Sequence, residues 1–341
     1  MFVAHTGFTS KSRSKMSMRF FINENHDPAF NLALEEVLCT NFPEPFLMLW
    51  RNAPAVIIGK NQNTFAEVNA AFAGEHHIPV VRRTTGGGAV YHDLGNVNYS
   101  LLVHERLPGA DSFAVFAEPV VACLRRMGVD AGFSGRNDIL VDGRKISGSA
   151  QRSFEKRTLF HGTLLFDADM EMLSRVLTPR KSKLESKGVK SVRGRVANLK
   201  EFLPGMSVET FLQELARHLQ HFASPPEAVP AEWCAAAEKL AAERYRQWAW
   251  NWGTPFDSSW ENSARFPGAG VVELKVKLLN GRIEDLMITG DFFGDSSAVT
   301  QALKGILFRR SEAAAKLKNI DVSEYIRGLS NQEFLSLFEI L

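Results

Sequence analysis

The segment VVRRTTGGGAVYHDLGNVNYS, residues 80–100, carries strand-like runs on either side of three consecutive glycines. A β-rich run from Ile78 to Val81 leads into Arg82, Arg83, Thr84 and Thr85. Beyond Gly86, Gly87 and Gly88, a second run passes through Val90, Tyr91, Val97, Tyr99 and Leu101. Three glycines in a row have no side chains to pack and lose much conformational freedom on folding. Bare backbone of this kind serves close approach of a ligand or unusual φ/ψ. The two guanidinium groups beside it present fixed forks of donors that suit a carboxylate or phosphate. The plainer alternative is a flexible hairpin tip with solvated arginines.

The chain around this segment has 341 residues, more than one typical domain, which favours two. Apolar residues at 45% and charged residues at 23% suit a soluble globular protein. A net charge of +2 carries no global nucleic-acid signature, so any anion recognition is local. Cys39, Cys123 and Cys234 lie far apart with no CxxC spacing, which argues against a disulfide framework or zinc site and suits a reducing compartment. No apolar run approaches the roughly 20 residues of a membrane span. The expectation is a cytoplasmic monomer without nucleic-acid or membrane partners.

Residues 1–17, basic, serine-rich and free of acids, read as a disordered tail or as an upstream start ahead of Met16 or Met18; a transit-like segment is the alternative. Arg19–Asn23 reads as a strand. Asp27 and Pro28 then signal a helix start, with Phe30, Ala33, Leu34, Val37 and Leu38 in the apolar stripe and Glu35 and Glu36 outside it. Phe46–Trp50 and Ala55–Ile58 read as a hairpin, and Glu67–Phe72 as a short helix. Phe113–Met127 has helical spacing and stops at Gly128. Ile139–Val141 and Lys145–Ser147 flank the turn Asp142–Gly143, Thr158–Phe166 is a strand, and Met170–Leu177 is a helix halted by Pro179. Arg180–Arg195 holds seven cations against Glu185 and reads as a mobile loop, either solvated or closing over an anionic ligand. Helices are expected at Val208–Phe222 and from Ala231 to about Arg244, then Trp248, Trp250 and Trp252 alternate. Past a boundary near 250–260, alternating residues from Val272 to Leu278, the turn Asn280–Gly281 and three further helices make a small α+β unit. The domains are thus 18–250 and 258–341.

Three loops group as a site: Arg82–Tyr91, Ser134–Ala150 and Phe160–Thr163. Lys145 is followed by Ser147, Gly148, Ser149 and Ala150, small residues that leave its ammonium room to reach a ligand. A cation set between a carboxylate and a phosphate stabilises the charge that develops when one attacks the other, as acyl-adenylate formation requires. GxxxxGK[ST] and GxGxxG are both missing, which excludes P-loop and Rossmann readings. The cysteines sit in helical stripes or beside alanines, as small core residues do. His161 either orients a base or is a satisfied structural histidine.

RRTTGGGAVYHDLGNVNYS, SGRNDILVDGRKISGSAQR and HGTLLFDADMEMLSRVL, with WRNAPAVIIGKNQN, SKGVKSVRGRVANL and WAWNWGTPF, closely resemble the lipoate–protein ligase A family from about Arg19 onward. The resemblance implies a mixed α+β fold, with a catalytic domain like those of class II aminoacyl-tRNA synthetases and biotin ligases and a small α+β C-terminal domain. It implies that ATP and lipoate, with magnesium, give lipoyl-AMP. The lipoyl group then passes to a lysine of a lipoyl carrier domain, on 2-oxoacid dehydrogenase E2 subunits or the glycine-cleavage H protein. By the same resemblance, Arg83, Gly88, Ala89, Val90, Tyr91 and Lys145 bind nucleotide. Lys145 is the catalytic residue and also meets lipoate, and Arg82, Thr84, Gly87, His92 and His161 line the acyl pocket. Asn137 and Asp138 are candidates for adenine or magnesium. Burying about four to six methylene equivalents of lipoate gains roughly 3–5 kcal/mol, near the millimolar scale, so Lys145 and backbone donors must supply most of the activation.

A lipoyl or octanoyl transferase working from a preformed acyl donor is the nearest rival, and it needs a pocket cysteine that the motifs lack. A transferase restricted to preformed lipoyl-AMP is disfavoured by the RND turn and the C-terminal domain. A biotin ligase would carry GRGRxG-type wording, and a non-catalytic lipoate sensor would lose Lys145 or gain a DNA-binding unit.

Overall fold

In the computed structural model, which describes residues 18–103, 111–134, 137–154, 157–177, 195–253 and 258–338, helix α1 (Pro28–Asn41) begins where the sequence predicts. The Asp27 carboxylate accepts from the Ala29 amide and Pro28 opens the first turn. The apolar stripe is buried, but so is Glu35, at 2% exposure. Helix α1 is covered on two sides: by the large sheet, and by the 231–245 segment, whose Arg244 and Tyr245 bind Glu36. Glu35 therefore points inward, which a one-faced stripe does not reveal.

The strands are β1 (Arg19–Asn23), β2 (Phe46–Trp50), β3 (Ala55–Ile58), β4 (Val80–Arg82), β5 (Val90–His92), β6 (Asn96–Val103), β7 (Gly132–Ser134), β8 (Asp138–Val141), β9 (Arg144–Phe154), β10 (Arg157–Leu165), β11 (Trp260–Phe266), β12 (Gly270–Leu279) and β13 (Arg282–Gly290). Seven form one sheet in the order β1-β2-β6-β10-β9-β8-β7, with separate sheets β4-β3-β5 and β11-β12-β13. Strands β2 and β3 belong to different sheets, so the expected hairpin at Arg51–Pro54 does not form. The glycine segment is no hairpin tip either: β4 and β5 flank β3 and do not pair with each other. The second run of the segment divides at Asp93–Gly95 into β5 and β6.

Register sets the two faces of the large sheet. Trp50 lies opposite Asn98, Asn98 opposite Thr163, and Ser100 opposite His161, so these residues share a face. Leu49, Tyr99, Leu101, Phe160 and Leu164 take the other face, in a core closed by helices Asp111–Arg126 and Val208–Leu219. The expected 67–72 helix is two turns, Thr64–Glu67 and Ala70–Glu75. The alternating tryptophans fold as a helical turn, Trp248–Trp252. The C-terminal unit has its own core and an edge strand, β11, not anticipated from the alternation. Among the described residues no helix is long and apolar enough to cross a membrane.

The C-terminal unit rests directly on the glycine segment. The Gly87 amide donates to the Phe292 carbonyl at 3.2 Å, the Gly290 amide to the Asn61 carbonyl at 2.8 Å, and Lys60 pairs with Asp295. Phe293 enters the core of the large sheet, its ring 5.5 Å from that of Phe113. A Cβ on Gly86 would lie 2.3 Å from the Phe292 carbonyl oxygen. Gly87 has φ +91° and faces both Phe293 and Arg83. The bare backbone of Gly86 and Gly87 is thus required by the chain itself, while the Cβ position on Gly88 is open.

Candidate active site on one face of the large sheet

Lys145 owes its position to an irregularity in β9. Ile139 pairs with Ser147 and Leu140 with Lys145, which leaves Ile146 as an extra residue. Ile146 packs into the core, and Lys145 turns to the face that carries Thr163 and His161. Its Nζ occupies the space a side chain on Gly148 would take: a Cβ there would lie 2.8 Å away. The Asp138 carboxylate holds the ammonium at 2.7 Å, with both side chains about one-third exposed. The Lys145 backbone is held as well, its amide donating to the Arg195 carbonyl (2.8 Å) and its carbonyl accepting from Ala197 (2.9 Å). Arg195 ends the basic run; the rest of that run, with its expected closing movement, lies outside the described residues.

Asn137 is tied to β9, its Nδ2 donating to the Ser149 carbonyl at 2.6 Å and its own carbonyl accepting from Ser149. The Gly148 amide meets the Thr163 hydroxyl at 3.3 Å. Lys145, Asp138, Asn137, Gly148 and Thr163 therefore form one end of the face.

The other end is a buried polar chain that sequence reasoning did not anticipate. Trp50 Nε1 donates to Ser100 Oγ (2.8 Å), which donates to Glu35 (2.6 Å). His161 Nδ1 stands 2.9 Å from each Glu35 oxygen, and its Nε2 is 2.9 Å from Thr85 Oγ1. Thr85 accepts from Arg83 Nε at 2.9 Å, which leaves its own proton for His161. Arg83 Nη2 then reaches the carbonyls of Gly86 and Gly88, at 2.7 and 2.9 Å. The glycine segment is thus wired through Arg83, Thr85, His161 and Glu35 to the sheet. The one sequence signal for Glu35 was a carboxylate next to a core stripe, without an apparent partner.

Arg82 does something different. Its guanidinium donates to the carbonyls of Gly59, Lys60, Gln62, Trp250 and Asn251 and to the Thr64 hydroxyl, clamping two loops together. Burial pushes both Arg82 and Arg83 down to about 10. Both stay charged at neutral pH and are engaged by the chain. Thr84 is buried beside them, whereas Gly88, Ala89 and Val90 are half-buried, the open edge of the segment. Tyr91 is buried under it, its phenol pushed up to about 12 by burial. His92, the last residue of β5, is buried against Trp50.

A cation over a side-chain-free glycine at one end, an apolar and polar-lined stretch of sheet, and a half-open backbone segment beside it suit an acid whose carboxylate meets Lys145. Residues 27–220 match the family described as the lipoyl protein ligase A/B catalytic domain, and residues 256–338 the bacterial lipoate protein ligase C-terminus. The chain is similar to the lipoate-protein ligase LplJ of Bacillus subtilis, 41% identical over 332 residues that cover 94% of this chain and 99% of that protein. It is also similar to the crystal structure of P. falciparum LipL1 in complex with lipoate, with a TM-score of 0.76 at 27% identity, covering 93% of this chain and 97% of that one. A lipoate-protein ligase A bound with ATP aligns with a TM-score of 0.62 at 29% identity, over 70% of this chain and 99% of that one. The expected mixed α+β fold with a small C-terminal sheet unit is shared with the LipL1 structure over 93% of this chain, the ATP-bound ligase matching 70% of it, and the chain belongs to the lipoate-protein ligase family.

Proposed function

We propose that the chain is an ATP-dependent lipoate–protein ligase. A lipoate carboxylate oxygen attacks the α-phosphorus of ATP, pyrophosphate leaves, and lipoyl-AMP forms. The amine of an acceptor lysine then attacks the acyl carbonyl, an amide forms, and AMP and a proton depart. The observation that carries this reading is the Lys145 ammonium, held over Gly148 and aimed by Asp138. One preorganised cation at that point stabilises charge growing on the attacked phosphate, and attracts the carboxylate first.

In this reading residues 18–250 are the catalytic domain and 258–341 the accessory domain. Gly88, Ala89 and Val90, at the open edge of the segment, meet the nucleotide. Arg83 shapes that edge through the Gly86 and Gly88 carbonyls. Thr84, Gly87, His92 and His161 lie around the acyl end, and Arg82 clamps its walls. Among the described residues no group of three or more His, Cys, Asp or Glu is placed to hold a metal. Magnesium needs only one or two protein carboxylates when phosphates complete its shell. Asp138, beside Lys145, fits that single role, and the ion would supply neutralisation of phosphate charge. The acceptors are lysines of lipoyl carrier domains on E2 subunits and of H protein. The enzyme works as a cytoplasmic monomer, and its three free cysteines suit a reducing compartment.

A thiol-dependent acyl transferase is the second reading, and the cysteines count against it. Burial pushes the Cys39 thiol well up and that of Cys123 up to about 12, and it raises Cys234 too. None is poised as a thiolate. Pyrophosphate release separates the two. Lipoate, ATP and magnesium should give release without any carrier, and apo carrier domain should convert it to sustained turnover. Acyl transfer from a thioester donor, with no pyrophosphate in either arm, would refute the ligase.

A further inference from the structure

Among the described residues, His92 holds a buried proton donor without an acceptor. The residue is 4% exposed, and none of the described groups bonds its Nε2. Its tautomer follows from the bonds around it. Asn31 Nδ2 donates to the carbonyls of Asn25 (2.8 Å) and Arg51 (3.0 Å), which fixes that atom as nitrogen. The same nitrogen faces Asn52 Oδ1 at 2.9 Å, so Asn52 presents its Nδ2 to His92 Nδ1, at 3.1 Å. An amide nitrogen only donates. Nδ1 therefore accepts, and the neutral ring carries its proton on Nε2. Burial, with Arg83 and His161 nearby, pushes this imidazole down to about 3, so it stays neutral.

The ring sits among Trp50, Arg83 and His161, at the end of the sheet face remote from Lys145. Asn98, opposite both Trp50 and Thr163, has no partner for its Nδ2 among the described residues and lies on the same face. From β9 to β2 is three strand spacings, roughly 14 Å. An acid with its carboxylate at Lys145 and its chain laid across β10 and β6 brings its far end to Trp50 and His92. Saturated carbon offers a donor nothing there, and a disulfide sulfur is a weak acceptor.

Resting on the ligase reading, we propose that His92 is a specificity-determining residue whose Nε2–H donates to a dithiolane sulfur, so that the site prefers lipoate to sulfur-free acids of the same shape. A buried donor left unpaired penalises the analogue that lacks the acceptor.

The test measures pyrophosphate release with lipoate and with cyclopentyl-pentanoate, in which two methylenes replace the disulfide. Wild-type enzyme should favour lipoate in kcat/KM by at least about fivefold. His92→Leu should bring the two acids to within about twofold by losing lipoate activity, and His92→Gln, which keeps a donor, should retain part of the preference. Equal use of both acids by the wild type overturns the proposal even if His92→Leu does not fold. An unchanged preference in folded His92→Leu does the same. Release with neither acid removes the ligase reading, and the proposal with it.

Discussion

Gly148→Ala separates the position of the Lys145 ammonium from its presence. The new Cβ would lie 2.8 Å from Nζ and 2.9 Å from Cε. Gly148 is not among the residues with positive φ, so the backbone accepts alanine. The obstructed atoms are the tip of a flexible chain, and they give way before the fold does. Carbon contacts relax near 3.5 Å, so the ammonium retreats by about 0.7 Å or more. A misplacement of about 1 Å at a reacting centre costs up to about a hundredfold, or about 2.7 kcal/mol of barrier. Stability should hardly move. Removing glycine from the unfolded chain favours the fold by about 0.4–1 kcal/mol, and the weakened Lys145–Asp138 pair, one-third exposed, is worth no more than about 1 kcal/mol. Pyrophosphate release and thermal melting are measured on Gly148→Ala, Lys145→Ala and the double variant. The double variant should be no slower than Lys145→Ala, because both changes act through one ammonium. Wild-type rates in Gly148→Ala, or fully additive losses in the double variant, would refute the placement of Lys145 argued here.

Three other outcomes are expected. Lys145→Ala should fold normally and lose adenylation by at least about a hundredfold, and Lys145→Arg should not restore it, since a planar fork does not fit a point-charge site; adenylate yield in single turnover decides this. Gly86→Ala should destabilise by about 1–3 kcal/mol, because its Cβ meets the Phe292 backbone, while Gly88→Ala, facing open space, should keep its melting temperature and change only the KM for ATP. Denaturant melts of the two check the contrast. The neutral, buried His92 makes stability fall in acid: its folded value of about 3 lies below the usual 6.5, so the unfolded chain binds the extra proton between those limits. Its contribution is intact above pH 6.5 and is lost at up to about 1.4 kcal/mol per pH unit as pH falls toward 3. Melts of wild type and His92→Leu at pH 7 and 5 should show the smaller loss in the variant.

Local chemistry wrote the features that the sequence made legible. Asp27–Pro28 starts α1, Asp142–Gly143 and Asn280–Gly281 adopt the positive φ their hairpins need, and Lys145 stands among residues too small to obstruct it. Each of these depends on neighbours within three or four positions, so composition and order suffice to read it. Long-range packing decided the rest. Periodicity marked Phe46–Trp50 and Ala55–Ile58 as apolar strands without saying that they enter different sheets. The glycines read as ligand backbone are, at Gly86 and Gly87, room for Phe292 and Phe293 some two hundred residues on. Arg82, read as an anion site, is saturated by carbonyls from two loops, and Glu35, read as lying outside the apolar stripe, meets His161 from a strand more than a hundred residues away. A charged side chain is legible in sequence, but its partner is chosen by sheet register and by which surfaces the fold closes. Only the folded chain brings those surfaces within hydrogen-bonding distance.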